Sequence, residues 1–264
     1  MRPSEIAGIL SRYSVRPSKT RGQNFLLDER VALREVEYAS ISDEEVVLEV
    51  GPGLGVLTEL ALERAKRVIA IESDAGLCQF LRERFPDLEL IEGDALRVGF
   101  PPFDRFLSNL PYSISSPLIF KLLDHRFDTG VIMVQKEFGE RMVASPGTGS
   151  YSRLSVNVYY RAECEILETV PRSRFWPQPE VDSCIVRLVP REAPFYVEDE
   201  SLFFALVDVL FQHRRKKIGT VLRRRGLVER GRVESLPFIE ERVEGLSPEQ
   251  IGELANAISR MRHH

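Results

Sequence analysis

Short apolar runs alternate with amphipathic stretches over the first two thirds of the chain. The runs at 46–50 (VVLEV), 67–71, 88–91, 104–108 (DRFLS) and 130–134 are rich in Val, Ile, Leu and Phe and have the length of strands. Between them, residues 56–65, 75–84 and 114–123 carry apolar positions at helical spacing, and Asp28 is placed to cap a helix reaching about residue 40. Strands this apolar, separated by helices, predict a parallel sheet covered on both faces. The sheet is expected to continue through 163–169 and 183–189. A loop is expected at 145–152 (SPGTGSYS), and an extended segment at 170–183 (VPRSRFWPQPEVDS), which has three prolines. After Pro190 and Pro194 the pattern turns helical to the end. The predicted architecture is therefore α/β, a doubly wound and mostly parallel sheet in a domain of residues 1–192, followed by a small all-helical domain, 193–264.

The first predicted strand runs into GPGLG (51–55), and a helix follows. Without a Cβ, Gly51 and Gly53 let a ligand approach the backbone. Glu72 ends the second strand, 19 residues after Gly53, where an acid accepts hydrogen bonds from ribose hydroxyls in doubly wound folds. Asp94 follows the third strand. The glycine spacing is GxGxG rather than the GxGxxG of a dinucleotide site, which leans away from a nicotinamide cofactor. S-adenosyl-L-methionine fits, with Glu72 on the ribose and Asp94 on the adenine amino group. The blander alternatives are a tight strand-to-helix connection for the glycines and a turn cap for Asp94. Glu72→Ala should much weaken cofactor binding with little effect on the fold.

Asn109-Leu110-Pro111-Tyr112 follows the fourth strand at the same sheet edge. An exocyclic adenine amine is a poor nucleophile because its lone pair is delocalised into the ring. Two acceptors for its two N–H groups favour a pyramidal, reactive nitrogen. The Asn109 side chain offers one carbonyl; the Leu110 backbone offers another, its direction stiffened by Pro111. Tyr112 can stack on the base. Such catalysis works by position and electrostatics. Because N6 lies on the pairing edge, the target must be unpaired or flipped out. An ordinary strand-ending turn has the same composition.

In order along the chain stand GQNFL (22–26), EVGPGLGVLT (49–58), IESD (71–74), GDAL (93–96), NLPY (109–112) and FWPQPEVDS (175–183). This ordered set resembles the ribosomal RNA adenine N6,N6-dimethyltransferase family, over about residues 19–225. The resemblance implies a Rossmann-like class I methyltransferase that dimethylates two adjacent adenosines in a hairpin loop near the 3′ end of small-subunit ribosomal RNA. It implies a cofactor site bordered by Gln23, Asn24, Leu26, Gly51, Gly53, Glu72, Asp94, Ala95 and Asn109. Asn109, Leu110, Pro111, Tyr112 and Phe175 would be catalytic, with Tyr112 and Phe175 sandwiching the adenine. The sequence departs from the pattern at Glu180, where a basic residue is usual, and at Trp176, which is bulkier than usual. Large-subunit rRNA methylases share the first motifs, but LFQHRRKKIGTVLRR (210–224) resembles the small-subunit branch, in an archaeal-like form. An assembly factor with secondary activity is a further alternative. A nicotinamide oxidoreductase would need a Tyr/Lys pair or similar acid, which is not evident.

The 264 residues carry a net charge of −4, which argues against nucleic acid only if the charge is evenly spread. It is not. Residues 211–232 hold nine Lys or Arg against Glu229, and residues 1–22 hold five against Glu5. Arg214, Arg215, Lys216, Lys217, Arg223, Arg224, Lys19 and Arg21 are therefore the candidates for RNA phosphate contact. The expected partner is small-subunit rRNA or an immature small subunit, bound by a monomer. Three scattered cysteines fit neither a disulfide framework nor a zinc site, and no metal is expected. With no long apolar run and no signal peptide, a cytoplasmic protein is expected.

Overall fold

The computed structural model describes residues 1–16, 23–225, 228 and 230–262. The chain divides into two units, Met1–Gly139 with Glu163–Pro190, and Glu140–Ala162 with Arg191–His264.

The first unit opens with α1 (Pro3–Arg12), whose Ile6 and Leu10 are buried together with Val15, Phe25, Leu54 and Leu77. The two-residue strand β1 (Phe25–Leu26) leads to α2 (Glu29–Ala39), where the Asp28 side chain accepts the Arg30 backbone N–H. There follow β2 (Val46–Val50), α3 (Val56–Leu62), β3 (Arg67–Glu72), α4 (Ala75–Arg84) and β4 (Glu89–Glu92). Next come β5 (Arg105–Asn109), α5 (Ser115–Leu123) and β6 (Thr129–Gln135). α6 (Lys136–Met142) spans the junction of the two units. After α7 (Arg153–Arg161), β7 (Ala162–Val170) returns the chain to the sheet. Two more strands, β8 (Phe175–Trp176) and β9 (Ser183–Pro190), complete the unit.

Seven strands form one sheet in the order β4-β3-β2-β5-β6-β9-β7. β2, β3, β4, β5 and β6 pair in parallel, and β9 is antiparallel to β6. β2 lies inside the sheet between β3 and β5, and Val47 to Val50 are all buried, as a strand covered on both faces should be. One of those four is Glu49. The parallel pairing brings the ends of β2, β3, β4 and β5 to one sheet edge, the usual place for a ligand in an open α/β sheet. β1 and β8 form a separate antiparallel pair, with Leu26 opposite Phe175.

In the second unit, α7 joins α8 (Glu200–Gln212), α9 (Ile218–Arg225) and α10 (Pro248–Arg262) around a core of its own. The sequence places one boundary at 192/193; here 140–162 belongs with the helices instead. The reason is aromatic packing. Tyr160 of α7 lies with its ring centre 5.1 Å from those of Phe195 and Phe203, and the buried Tyr151 hydroxyl donates to the Leu246 carbonyl at 2.9 Å. Neither contact is visible in local periodicity. Among the described residues, no helix is long and apolar enough to cross a membrane.

Candidate active site

A cavity of about 340 Å³ lies at the carboxyl edge of the sheet in the first unit. The turn after β2 contributes Gly51 and Gly53, and the arm before β1 contributes Gln23 and Asn24, with Leu26 beyond them. Glu72 comes from the end of β3, and Asp94 and Ala95 follow β4. Asn109, Leu110, Pro111 and Tyr112 close one side, with Phe175. Every residue expected at the cofactor and at the base therefore lines one space.

The glycine turn is built by left-handed backbone, with φ of +58° at Gly53 and +76° at Gly55. The two glycines differ in role. Gly53 faces the cavity, whereas a Cβ on Gly55 would stand 2.2 Å from the Phe85 ring, so Gly55 serves packing. The Gly51 N–H is already donated to the Ile71 carbonyl at 2.9 Å, which ties the turn to β3 rather than leaving that amide open for a ligand.

Glu72 is 6% exposed, and its Oε1 accepts the Ser73 and Asp74 backbone N–H groups at 2.7 and 2.9 Å. Burial pushes its carboxyl up, while backbone hydrogen bonds from Asp74, Ser73 and Gly53 pull it down. The carboxylate thus holds the turn after β3 as well as facing the cavity. This corrects the expectation that its removal spares the fold. Asp94 is exposed, caps a turn and lines the cavity. Its Oδ1 accepts the Leu96 N–H at 2.9 Å as a turn cap, its Oδ2 lies 3.5 Å from Arg97 Nε, and the residue lines the cavity.

Asn109 ends β5 opposite Met133 of β6, and the Leu110 N–H donates to the Met133 carbonyl at 3.0 Å. The tetrad is thereby fixed to a central strand pair at its entry. The Pro111 carbonyl accepts the Ile114 N–H at 3.1 Å, closing the turn into α5. The half-buried Tyr112 is anchored by its hydroxyl, 2.9 Å from Ser183 Oγ of β9, and burial pushes its phenol up. Phe175 differs from the expectation of a ring in an extended loop. It belongs to β8, is 5% exposed, and packs in the core with Leu26, Val31 and Ile185 while one edge reaches the cavity.

Two buried carboxyls adjoin this site, and one of them, Glu49, lines the cavity. Glu49 of β2 accepts a 2.6 Å hydrogen bond from Thr58 Oγ1. Burial lifts Glu49 from 4.5 to about 7, opposed by Thr58 and reinforced by the charge of Glu72. Glu35 of α2 is fully buried, and burial, then the charges of Glu49 and Glu168, push it well above the usual carboxylate range. A carboxyl with a raised folded-state pKa keeps its proton longer when folded, so stability is greatest at low pH and falls as pH rises. For Glu49 the window runs from 4.5 to about 7, and its contribution should fall by about 3 kcal/mol across it. Urea unfolding at several pH values should show that slope reduced in Glu49→Gln; an unchanged slope contradicts the assignment.

Of the expected RNA contacts, Lys19 and Arg21 fall outside the described residues. In the second unit, Arg214 to Lys217 connect α8 to α9. Arg214 donates to the Gly149 carbonyl at 3.0 Å and pairs with Glu244 at 3.2 Å, so it ties down a loop. Lys217 pairs with Glu240 and Arg223 with Glu234. Arg215, Lys216 and Arg224 are exposed and have no acidic partner among the described residues. They are the cations of this group best placed to meet phosphate.

Sequence reasoning missed Met1 and Met133 at the cavity, and treated Glu49, Ser73 and Ser183 only as parts of motifs. It also missed Glu35. The available signal was an acid inside the apolar stripe of α2, among Val31, Ala32, Val36 and Ala39.

Residues 16–260 match the model of the family described as ribosomal RNA adenine dimethylase. A Methanosarcina acetivorans protein named probable ribosomal RNA small subunit methyltransferase A is 44% identical, covering 96% of this chain and 97% of that one. The solved dimethyladenosine transferase from Plasmodium falciparum is 32% identical, with a TM-score of 0.79 over 90% of this chain and 98% of that one. The solved 23S rRNA methyltransferase ErmE is 31% identical, with a TM-score of 0.68 over 89% of this chain and 100% of that one.

Proposed function

This chain belongs to the ribosomal RNA adenine dimethylase family, and from that premise we propose that it dimethylates N6 of two adjacent adenosines in a hairpin loop near the 3′ end of small-subunit rRNA. It is an S-adenosyl-L-methionine-dependent rRNA methyltransferase. The observation that carries the detailed reading is the meeting of Asn109, Glu72 and the glycine turn in one cavity. Its volume suits a small-molecule cofactor, since such sites run from about 300 to 1,000 Å³.

The residues present fit the cofactor. The left-handed turn at Gly53 leaves room against the backbone, and Glu72 and Asp94 line the same cavity, where they would hold the ribose hydroxyls and the adenine amino group. When bound, the cofactor supplies an electrophilic methyl group. The chain does the rest. Asn109 Oδ1 and the Leu110 carbonyl accept from the amine, Tyr112 stacks on the base, and Phe175 bounds its other side. Stacking of an extruded base contributes about 1–3 kcal/mol. After the first transfer the amine has one N–H left, so the second depends more on the fit of the ring than on paired acceptors.

The substrate reading rests on the small-subunit relative being 44% identical, against 31% for the large-subunit enzyme. Arg215, Lys216 and Arg224 supply phosphate contacts, and the work is cytoplasmic, on the rRNA or an immature subunit, by a monomer. The test uses the loss of pairing that dimethylation causes. Unmethylated small subunits are incubated with protein and cofactor, and their RNA is reverse-transcribed. Stops at two adjacent adenosines near the 3′ end are expected; stops only in added large-subunit RNA would overturn the assignment.

A further inference from the structure

The side chain of Asn109 does not float at the cavity edge. In the amide orientation that satisfies both of its ends, Asn109 Nδ2 donates to Glu35 Oε1 and Oε2 at 3.0 and 2.9 Å. Glu35 is fully buried on the inner face of α2, between Ala32 and Val36. A buried carboxyl is costly, and hydrophobic burial alone would favour an aliphatic residue at such a position. Its partner is a residue that lines the cavity.

We propose that Glu35 is a positioning residue, which fixes the Asn109 amide so that its oxygen, and not its nitrogen, is presented for the target amine. This rests on the reading that Asn109 accepts from adenine N6. A carboxamide turned by 180° has almost the same shape but reversed polarity. With Oδ1 away from Glu35, the site accepts an N–H from the amine. With Nδ2 in that place, it would donate toward the amine and compete for the lone pair that must form the new bond. Nothing in the shape of the tetrad chooses between the two. A carboxylate chooses, because it is acceptor-only and can satisfy only the Nδ2 edge. A neutral carboxyl carries one O–H donor, so it can also satisfy the Oδ1 edge and releases the choice.

The lock therefore depends on protonation. The groups facing Glu35 are Asn109 of β5, Glu49 of β2 and Glu168 of β7. Glu168 is itself paired to Arg34 at 2.7 Å. Burial and the two neighbouring acids hold the Glu35 proton above the usual carboxylate range, so the acid limb of activity should lie above that range too. Activity rises with pH as Glu35 ionises and Asn109 becomes locked.

The test compares wild type with Glu35→Gln, which is nearly isosteric and can satisfy either amide edge. Single-turnover methylation is measured from acid to alkaline pH, alongside adenosylmethionine affinity. The wild type should show the acid limb. Glu35→Gln should lose about tenfold in kcat at the wild-type optimum, the order of one lost hydrogen bond to a charged group. Its cofactor affinity should be unchanged and its acid limb absent. Glu35→Leu, which removes the buried carboxyl, should lack the limb as well. A Glu35→Gln rate equal to wild type, or a loss that keeps the wild-type pH profile, overturns the proposal. An inactive wild type instead overturns the adenine-methylation reading, so the two failures are distinct.

Discussion

Asn109→Ala should lower the methyl-transfer rate by about 10²- to 10³-fold, the range for removing one preorganised polar group aimed at a reacting centre. The loss should fall mainly on kcat, because the side chain acts on the amine. Cofactor affinity should fall less than kcat, since Asn109 borders the cofactor but the glycine turn and Glu72 come from other strands. Residual activity should remain, because the Leu110 carbonyl and the Tyr112 ring are untouched. Asn109→Asp sharpens the argument. It keeps an acceptor, yet places a carboxyl where Nδ2 meets Glu35 at 2.9 Å. Two acids there cannot both ionise, so Asp should rescue poorly near neutral pH. Single-turnover kinetics with saturating cofactor check both variants. An Asn109→Ala enzyme with a wild-type rate would remove the tetrad from the chemistry.

The second large effect concerns Glu72. Its replacement should raise the cofactor dissociation constant by about 100-fold, since a hydrogen bond to a charged acceptor contributes about 1.5–3 kcal/mol. The choice of variant matters because Oε1 already holds two backbone N–H groups at 2.7 and 2.9 Å. Glu72→Gln keeps one acceptor oxygen for that turn and should lose affinity with little loss of stability. Glu72→Ala leaves both N–H groups unpaired in a half-buried turn and should cost about 1–3 kcal/mol besides. Calorimetric titration with the cofactor, paired with urea unfolding, separates the two effects. Unchanged affinity in Glu72→Gln contradicts the ribose role.

β2, β3, β5 and β6 are legible because each is a short, largely apolar run bounded by turn residues, and a central parallel strand has no polar face to blur the signal. The ends of those strands were legible too, since glycine, acid and the Asn-Pro pair punctuate them. What escaped was set by contacts distant in sequence. α7 contains Val156 and Val158 in alternation with polar residues, a strand-like pattern, yet it folds as a helix with five of its first six residues and Tyr160 buried. Its assignment to the helical unit follows from Phe195 and Phe203, more than thirty residues away. The basic cluster was read correctly as a run, but its members are not equivalent. Glu240, Glu234 and Glu244 occupy Lys217, Arg223 and Arg214, and only folding reveals which cations are engaged.

The candidate site shows the same division. Most residues that touch the cavity sit in motifs; Glu35, which supports Asn109 from behind, does not. Glu35 looks like a fault in an amphipathic helix until α2 is laid beside the end of β5, where its carboxyl meets Asn109. Glu72 was placed by its distance from the glycines, but its grip on the Ser73 and Asp74 amides needed coordinates.

The central claim is that the Asn109 site transfers two methyl groups to one adenine nitrogen. Wild-type protein, methyl-labelled S-adenosyl-L-methionine and unmethylated small subunits are incubated together, and the RNA is digested to nucleosides and separated by chromatography. Label is expected in N6,N6-dimethyladenosine with wild type and almost none with Asn109→Ala. Label on any other atom, or none from a wild-type protein that binds both cofactor and subunits, would contradict it.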